Sequence, residues 1–399
     1  MIDLKAARND PDGYRAALGR KGATEAFDAL LAADERWRAL VPRIDDLRSR
    51  TKLKGKPSPE QLAELQGVKE ELRAAEEELA AAEAARDDLA LRVPNLPHSD
   101  VPDGSTEDDV EEMRRIGVPM SDGETREHTE IGRFEMERAA RMSGARFGYW
   151  VGDTARLALA LYGFALDRLA EKGFVTVLPP VLVREQALIG TGAFPSDEAN
   201  VYELSADGLY LAGTAEIPLA SLHAGEILSA EELPLRYVAF SPCFRREAGA
   251  AGRDTRGMIR VHQFNKVEQF SFARPEDSWD EHELLLANTE QLVQELGLPY
   301  RVVVLPAGDI SSAAAKTYDV EIWFPSQARY RETASVSNTT DFQARRLGIR
   351  HRGERGVEPV HTLNGTAVVD RMALAILENF GGEVPDALRP FGAPERVTR

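Results

Sequence analysis

Between residues 65 and 93 apolar side chains return in alternating steps of three and four: Leu65, Val68, Leu72, Ala75, Leu79 and Ala82, then Arg86, Leu89 and Val93. Such spacing keeps one stripe facing a second helix along its whole length. A partner precedes it, because Phe27, Leu30, Trp37, Val41 and Ile44 repeat the same steps, interrupted by Asp34. Between the two, Gly55-Lys56-Pro57 breaks the first helix. Ser58 can cap the second, Pro59 suits its first turn, and Gln61 completes a capping box. The pattern predicts an antiparallel coiled-coil hairpin whose second helix, over 59–92, is about 50 Å long at 1.5 Å per residue. A hairpin of that length is expected to project as an arm. Pro42 lies inside the first helix and is expected to kink it or break its hydrogen bonding. Residues 1–20 are expected as a docking segment with one small helix.

Past Val93-Pro94-Asn95-Leu96-Pro97 the periodicity stops, and residues 97–125 are rich in Pro, Asp and Glu. They predict a loop-like linker, dividing the chain into a helical arm (1–96), the linker (97–125) and a larger domain (126–399). In that domain residues 154–172 read as an amphipathic helix ended by Gly173, and 174–178 as a strand stopped by Pro179-Pro180. Further strands are expected at 209–211, 237–240, 266–272, 300–305, 320–324 and 328–334, with helices at 276–296 and 368–380. The order is not a regular βαβ alternation, so the fold class is α+β, an antiparallel sheet flanked by helices.

The formal net charge of −17 argues against non-specific coating of nucleic acid but permits a local anion site. A single cysteine rules out an internal disulfide framework and fits a reducing cytoplasm. The N-terminus carries charges where a secretory signal needs an apolar run, and no apolar stretch is long enough for a membrane. Two basic clusters oppose the global charge. Arg48, Arg50, Lys52, Lys54 and Lys56 crowd the tip of the hairpin, which suits either a solvated helix end or the phosphate backbone of a folded RNA. Arg245, Arg246, Arg253, Arg256, Arg260 and Lys266 lie within 243–270, on and between two strands joined by a Gly/Ala-rich loop. Guanidinium forks there suit phosphates or carboxylates.

There is no Walker loop, no Gly-x-Gly-x-x-Gly after a strand, no His-Glu-x-x-His and no nucleophile elbow. A nucleotide would have to be held by other means. Arg245 with Glu247, Phe264, Glu332 with Ser335, and Arg371 supply cations for phosphates, an aromatic plate for a base and oxygens for magnesium.

These segments carry a resemblance over essentially the whole chain. The run CFRREAGAAGRDTRG, followed by HQFNKVE, resembles the second class motif of bacterial seryl-tRNA synthetases, which are class II aminoacyl-tRNA synthetases. GFVTVLPPVLV resembles the first motif, whose terminal proline lies at the dimer interface. HTLNGT, with Arg371 and ALAILEN, resembles the third. YLAGTAEIPLASLHAGEIL, AAAKTYDVEIWFPSQARYRE and SNTTDFQARR match as well.

The resemblance implies a cytoplasmic homodimer that uses ATP and Mg2+ to activate L-serine and charge tRNA(Ser), and tRNA(Sec) where that exists, with no membrane partner. It implies that Arg245 grips the α-phosphate and the serine carboxylate, Glu247 binds the adenine amino group, and Phe264 stacks under adenine with Val261 nearby. Arg371 would cover the other adenine face and meet the γ-phosphate, making Arg245, Glu247 and Arg371 the catalytic set. Glu332 and Ser335 would hold magnesium. Arg246, Thr333 and Ala334 complete the ATP site; Thr214, Ala215, Glu216, Arg245, Glu268, Asn364 and Thr366 form the serine pocket. The five basic residues at the hairpin tip would bind tRNA, and the loop 248–257 would switch from ATP to the acceptor end. Three features depart from the family pattern: an arm shorter than is common, Pro42, and the short, Gly-poor AVVD run, which sets Asp370 beside Arg371. The alternative is a synthetase-like paralogue serving a biosynthetic pathway or loading a non-tRNA acceptor; a catalytically silent RNA-binding paralogue is a third reading.

Overall fold

The computed structural model describes residues 1–399 except 53–57, 120–124, 250–256 and 354–355. Two compact units result, Met1–Leu96 and Pro97–Arg399.

The first unit opens with two short helices, α1 (Leu4–Asn9) and α2 (Pro11–Gly19), where one was expected. Asp10 ends the first and caps the second through Gly13. Then come α3 (Thr24–Arg50) and α4 (Pro59–Arg92). The capping box forms as the sequence predicts: Gln61 N donates to Ser58 Oγ at 3.2 Å, and Ser58 N to Gln61 Oε1 at 2.9 Å. The hairpin is antiparallel. Phe27 and Leu30 pack with Ala90 and Val93 near its open end, and Ile44 and Leu47 with Val68 and Ala75 toward its turn. The α4 seam buries small alanines, so the larger side chains of α3 fill the interface. Leu40 and Leu47 join the buried stripe of α3, while Trp37 and Val41 sit at its half-buried border. Arg86 keeps its place on the seam by laying its guanidinium over Trp37, 4.2 Å from the ring centre. Asp34, the break in the heptad, is buried and paired with Arg8 (3.2 Å) and Arg38 (2.9 Å). Pro42 does not end α3, which runs continuously across it.

The second unit is built on an eight-stranded sheet. Its strands are β1 (Glu111–Ile116), β2 (Val175–Val177), β3 (Leu235–Phe244), β4 (Gln263–Ala273), β5 (Tyr300–Val304), β6 (Lys316–Phe324), β7 (Arg329–Asn338) and β8 (His361–Val369). They lie in the order β1-β5-β6-β7-β8-β4-β3-β2, all neighbours antiparallel except β2 with β3. The region 97–125, expected as a loop-like linker, supplies edge strand β1 and belongs to this unit. Strand β3 extends past the expected 237–240 and through Pro242. Its pairing with β2 stops at Ala239, so a residue without an N–H there faces no ladder on that side.

Helices α5 (Asp153–Glu171), α6 (Ser278–Glu295) and α7 (Asp370–Phe380) cover one face and form the main core with the sheet. The first two match the expected helices within two residues. Helix α7 begins at 370, because 368–369 still belong to β8. The period-two alternation of β4 sends Val267, Gln269 and Ser271 toward the helices and Phe264, Lys266 and Glu268 to the opposite face. Gln269 is held there by Asn288 (2.9 Å) and Thr289 (3.1 Å) of α6. Among the described residues, no helix is long and apolar enough to cross a membrane.

Candidate active site

On the face of the sheet away from α6 lies a cavity of about 350 Å³. Strand β4 gives it Phe264, Lys266 and Glu268, β8 gives Asn364 and Thr366, and β7 gives Glu332, Thr333, Ser335 and Ser337. Glu268 lies opposite Thr366, and Ser337 opposite Asn364, so four polar residues meet on adjacent strands by register alone. Arg245 follows β3, Arg371 lies in the first turn of α7, Thr214 comes from the turn before a short helix (Glu216–Ala220), and Glu216 is that helix's first residue. All of these except Lys266 and Ser337 were anticipated from sequence, as were Glu247 and Val261, which also line the cavity.

Three anticipated residues are not brought to it. Ala215 packs in a hydrophobic cluster below the turn, and Ala334 points into the main core, opposite in parity to Thr333 and Ser335. Arg246 is exposed, its backbone N–H donating to Asn200 O at 2.8 Å. Of the hairpin-tip cations, Arg48 pairs with Glu76 at 2.9 Å and Arg50 with Asp46 at 3.7 Å, both exposed; Lys52 is exposed as well. Lys54 and Lys56, like Arg253 and Arg256 of the long loop, lie outside the described residues.

One end of the cavity is cationic and aromatic. The Arg245 guanidinium stands 5.3 Å from the Phe264 ring centre, and its Nε donates to Gly213 O at 3.4 Å. Arg371 donates to the carbonyls of Glu332 and, at 3.3 Å, Ile259, which fixes the fork at the rim. Glu247 is ion-paired with Arg260 at 2.8 Å and sits at φ +52°. A left-handed backbone at a non-glycine residue costs on the order of 1 kcal/mol, and the surrounding contacts hold it there. Ser335 Oγ lies 3.4 Å from Glu332 Oε1. Two such oxygens suit magnesium, which takes one or two protein ligands and fills its octahedron with phosphate oxygens and water. No cluster of three or more His, Cys, Asp or Glu fit to hold a metal by itself exists among the described residues.

The other end is acidic and buried. Lys266 ion-pairs with Glu268 and donates to Thr214 Oγ1 at 2.8 Å. Glu216 accepts from Gln343 Nε2 at 2.7 Å. Burial, and then the neighbouring Glu268, push the Glu216 carboxyl up to about 6. A site with two carboxylates at one end and two guanidinium groups at the other can hold an amino acid by its amine while gathering phosphates above its carboxylate.

Asp370 also departs from expectation. As an acid beside Arg371 it threatened to repel a polyphosphate. Its carboxylate instead accepts from Tyr162 Oη of α5 and, at 3.0 Å, from Asn265 N of β4, and the group is buried. Burial raises it to about 6 against the lowering effect of those hydrogen bonds. Lys266 and Asp370 were missed as site components for the same reason. The place of a polar side chain in a pocket is not legible when its partners are distant in sequence.

The profile of the seryl-tRNA synthetase N-terminal domain matches residues 1–97, and that of the tRNA synthetase class II core domain (G, H, P, S and T) matches residues 202–380. The serine–tRNA ligase of Pelotomaculum thermopropionicum is 44% identical over 98% of this chain and 98% of its own length. The chain belongs to the seryl-tRNA synthetase family. A second family member, from Thermobifida fusca, is 45% identical over 98% of this chain and 97% of its own. Among solved structures, the seryl-tRNA synthetase of Pyrococcus horikoshii complexed with ATP superposes with a TM-score of 0.94 at 39% identity, covering 100% of this chain and 99% of that one. The cytoplasmic serine–tRNA ligase of Naegleria fowleri in complex with AMP gives 0.89 at 32%, covering 99% and 97%. Family membership thus rests on both units, the helical hairpin and the sheet.

Proposed function

We propose that this protein activates L-serine with ATP and transfers it to tRNA(Ser). In the first step a serine carboxylate oxygen attacks the α-phosphorus, the bond to the bridging oxygen breaks, and pyrophosphate leaves. In the second a terminal ribose hydroxyl of the tRNA attacks the seryl carbonyl and AMP leaves. Neither step needs a covalent protein nucleophile. The first brings two anions together and the second releases AMP as an anion, so positive charge and alignment carry most of the catalysis. Arg245 would take the α-phosphate and the amino-acid carboxylate, Arg371 the γ-phosphate, and Phe264 the adenine face. Glu332 and Ser335 would hold magnesium, which neutralises the departing pyrophosphate.

The observation that supports serine best is the buried end of the cavity. Glu216 suits an ammonium group, and Glu268 as acceptor with Thr366 opposite it suits a hydroxyl. A pocket built around a substrate hydroxyl rejects alanine strongly, because its own polar groups would be left unpaired. Residues 1–96 serve as the tRNA-binding unit and the sheet domain as the catalytic one. Exposed Leu159, Val175, Leu178 and Leu182 lie on and around the segment that resembles the first class motif, which supports a homodimer.

Pyrophosphate exchange with serine, alanine, threonine and glycine, followed by tRNA charging with the best substrate, tests the reading. Adenylate formation with no charged tRNA would sink the tRNA step and favour the non-tRNA acceptor, although a helical hairpin has no evident use for one.

A further inference from the structure

Lys266 has no role in the scheme above, yet it stands at the centre of the buried end of the cavity. Lysine is rarely buried unless paired, and here only 7% of the residue is exposed. Its Nζ reaches Glu268, two residues along the same face of β4, and Thr214 Oγ1 at 2.8 Å on a separate segment. Thr214 Oγ1 in turn accepts from Glu216 N at 3.2 Å, at the start of the helix that carries Glu216. One ammonium therefore joins the strand bearing Glu268 to the turn bearing Thr214 and Glu216. No other contact described above ties these two walls together at that depth. The pocket must also hold two acids, and a cation between them opposes their repulsion.

We propose that Lys266 is a positioning residue of the amino-acid pocket: it clamps the Glu268 strand to the Thr214–Glu216 turn, fixing the groups that read the substrate's amine and hydroxyl. This rests on the proposed serine activation. The clamp acts on amino-acid capture and leaves nucleotide binding, built from Phe264, Glu332 and Arg371, untouched. It also sets the electrostatics of Glu216, which faces Glu268, Lys266 and Arg245 and accepts from Gln343. Lys266 and Arg245 lower its proton affinity while burial and Glu268 raise it.

The test is Lys266→Met in the full-length protein, read by ATP–pyrophosphate exchange. Losing a hydrogen-bonded charge predicts a rise in KM for serine of about tenfold or more. KM for ATP should stay within about twofold, since its contacts lie elsewhere. The acid limb of kcat/KM for serine should move to higher pH. A structural role alone would move both KM values together and leave that limb in place. Equal changes in both KM values, or an unchanged serine KM, overturn the proposal. If Lys266→Met does not fold, Lys266→Gln removes the charge at the same place while keeping a polar side chain, and is read in the same way. A raised serine KM with normal ATP KM then supports the proposal, and an unchanged serine KM overturns it. Should the wild-type protein show no serine-dependent exchange at all, the proposed function fails first; a working wild type with an indifferent variant sinks only the clamp.

Discussion

Tyr162→Phe isolates the contact that resolves the position of Asp370. The phenol hydroxyl, carried by α5, donates to a carboxylate at the first residue of α7, and both groups are buried. The Asp370 carboxyl is raised from 3.8 to about 6, so the folded protein binds that proton more tightly than the unfolded chain. Stability from this group is therefore lost as pH rises from about 4 to about 6, by about 3 kcal/mol at 1.36 kcal/mol per unit. The Tyr162 hydrogen bond limits that loss. Without it the carboxyl rises further, and the ionised form at pH 8 has one partner fewer. A hydrogen bond to a charged group is worth about 1.5–3 kcal/mol, one to the neutral acid about 1. In a unit of this size 1 kcal/mol shifts the melting temperature by about 2 °C. Thermal unfolding followed by fluorescence should show Tyr162→Phe melting about 2 °C lower at pH 5 and about 3–6 °C lower at pH 8. Equal shifts at both pH values, or a larger one at pH 5, would refute the reasoning. Asp370 would then not carry its charge against Tyr162.

Other outcomes follow from the same structure. Glu216, raised to about 6, should gain its proton as pH falls through that value, so kcat/KM for serine should decline below about pH 6 in a pH series; Glu216→Gln should flatten that limb. Arg371→Ala should raise KM for ATP more than KM for serine in exchange assays, because its carbonyl contacts hold the fork at the nucleotide end. Asp34→Leu restores the apolar seam of the first unit. Because Arg8 and Arg38 keep substantial solvent exposure, the change should be neutral or stabilising by up to about 1–2 kcal/mol in chemical denaturation, whereas loss of folding would show that the ion pairs specify the hairpin. Replacing Arg48, Arg50, Lys52, Lys54 and Lys56 with Ala should raise KM for tRNA and spare pyrophosphate exchange; equal loss of both would assign the cluster to folding.

The helical hairpin was legible because burial repeats every three or four residues, and the Ser58 capping box marked its second helix to the residue. The sheet was legible where aromatic and β-branched residues recur, as at 266–272 and 300–305. It was hidden where they do not. The strand Glu111–Ile116 reads EEMRRI because it is a largely exposed edge, and a Pro/Asp/Glu-rich neighbourhood outweighed its pairing with Tyr300–Val304. Most cavity residues were legible through the class motifs. Their parity was not, which is why Ala334 was grouped with Thr333 and Ser335 although strand alternation turns it into the core. Asp370 shows a different gap. Its neighbour in sequence suggested repulsion of phosphate, whereas its partners Tyr162 and Asn265 come from 208 and 105 residues away. Lys266 was counted only among loop-flanking cations until its contact with Thr214 placed it inside the pocket.

The central claim is that the buried end of the cavity reads serine. Amino-acid-dependent ATP–pyrophosphate exchange, run on the wild type beside Glu268→Gln, tests it most directly. The account predicts a preference for serine over alanine on the order of 10⁴ in kcat/KM, with most of it lost in the variant. Equal exchange with alanine, or an unchanged preference in Glu268→Gln, would contradict it.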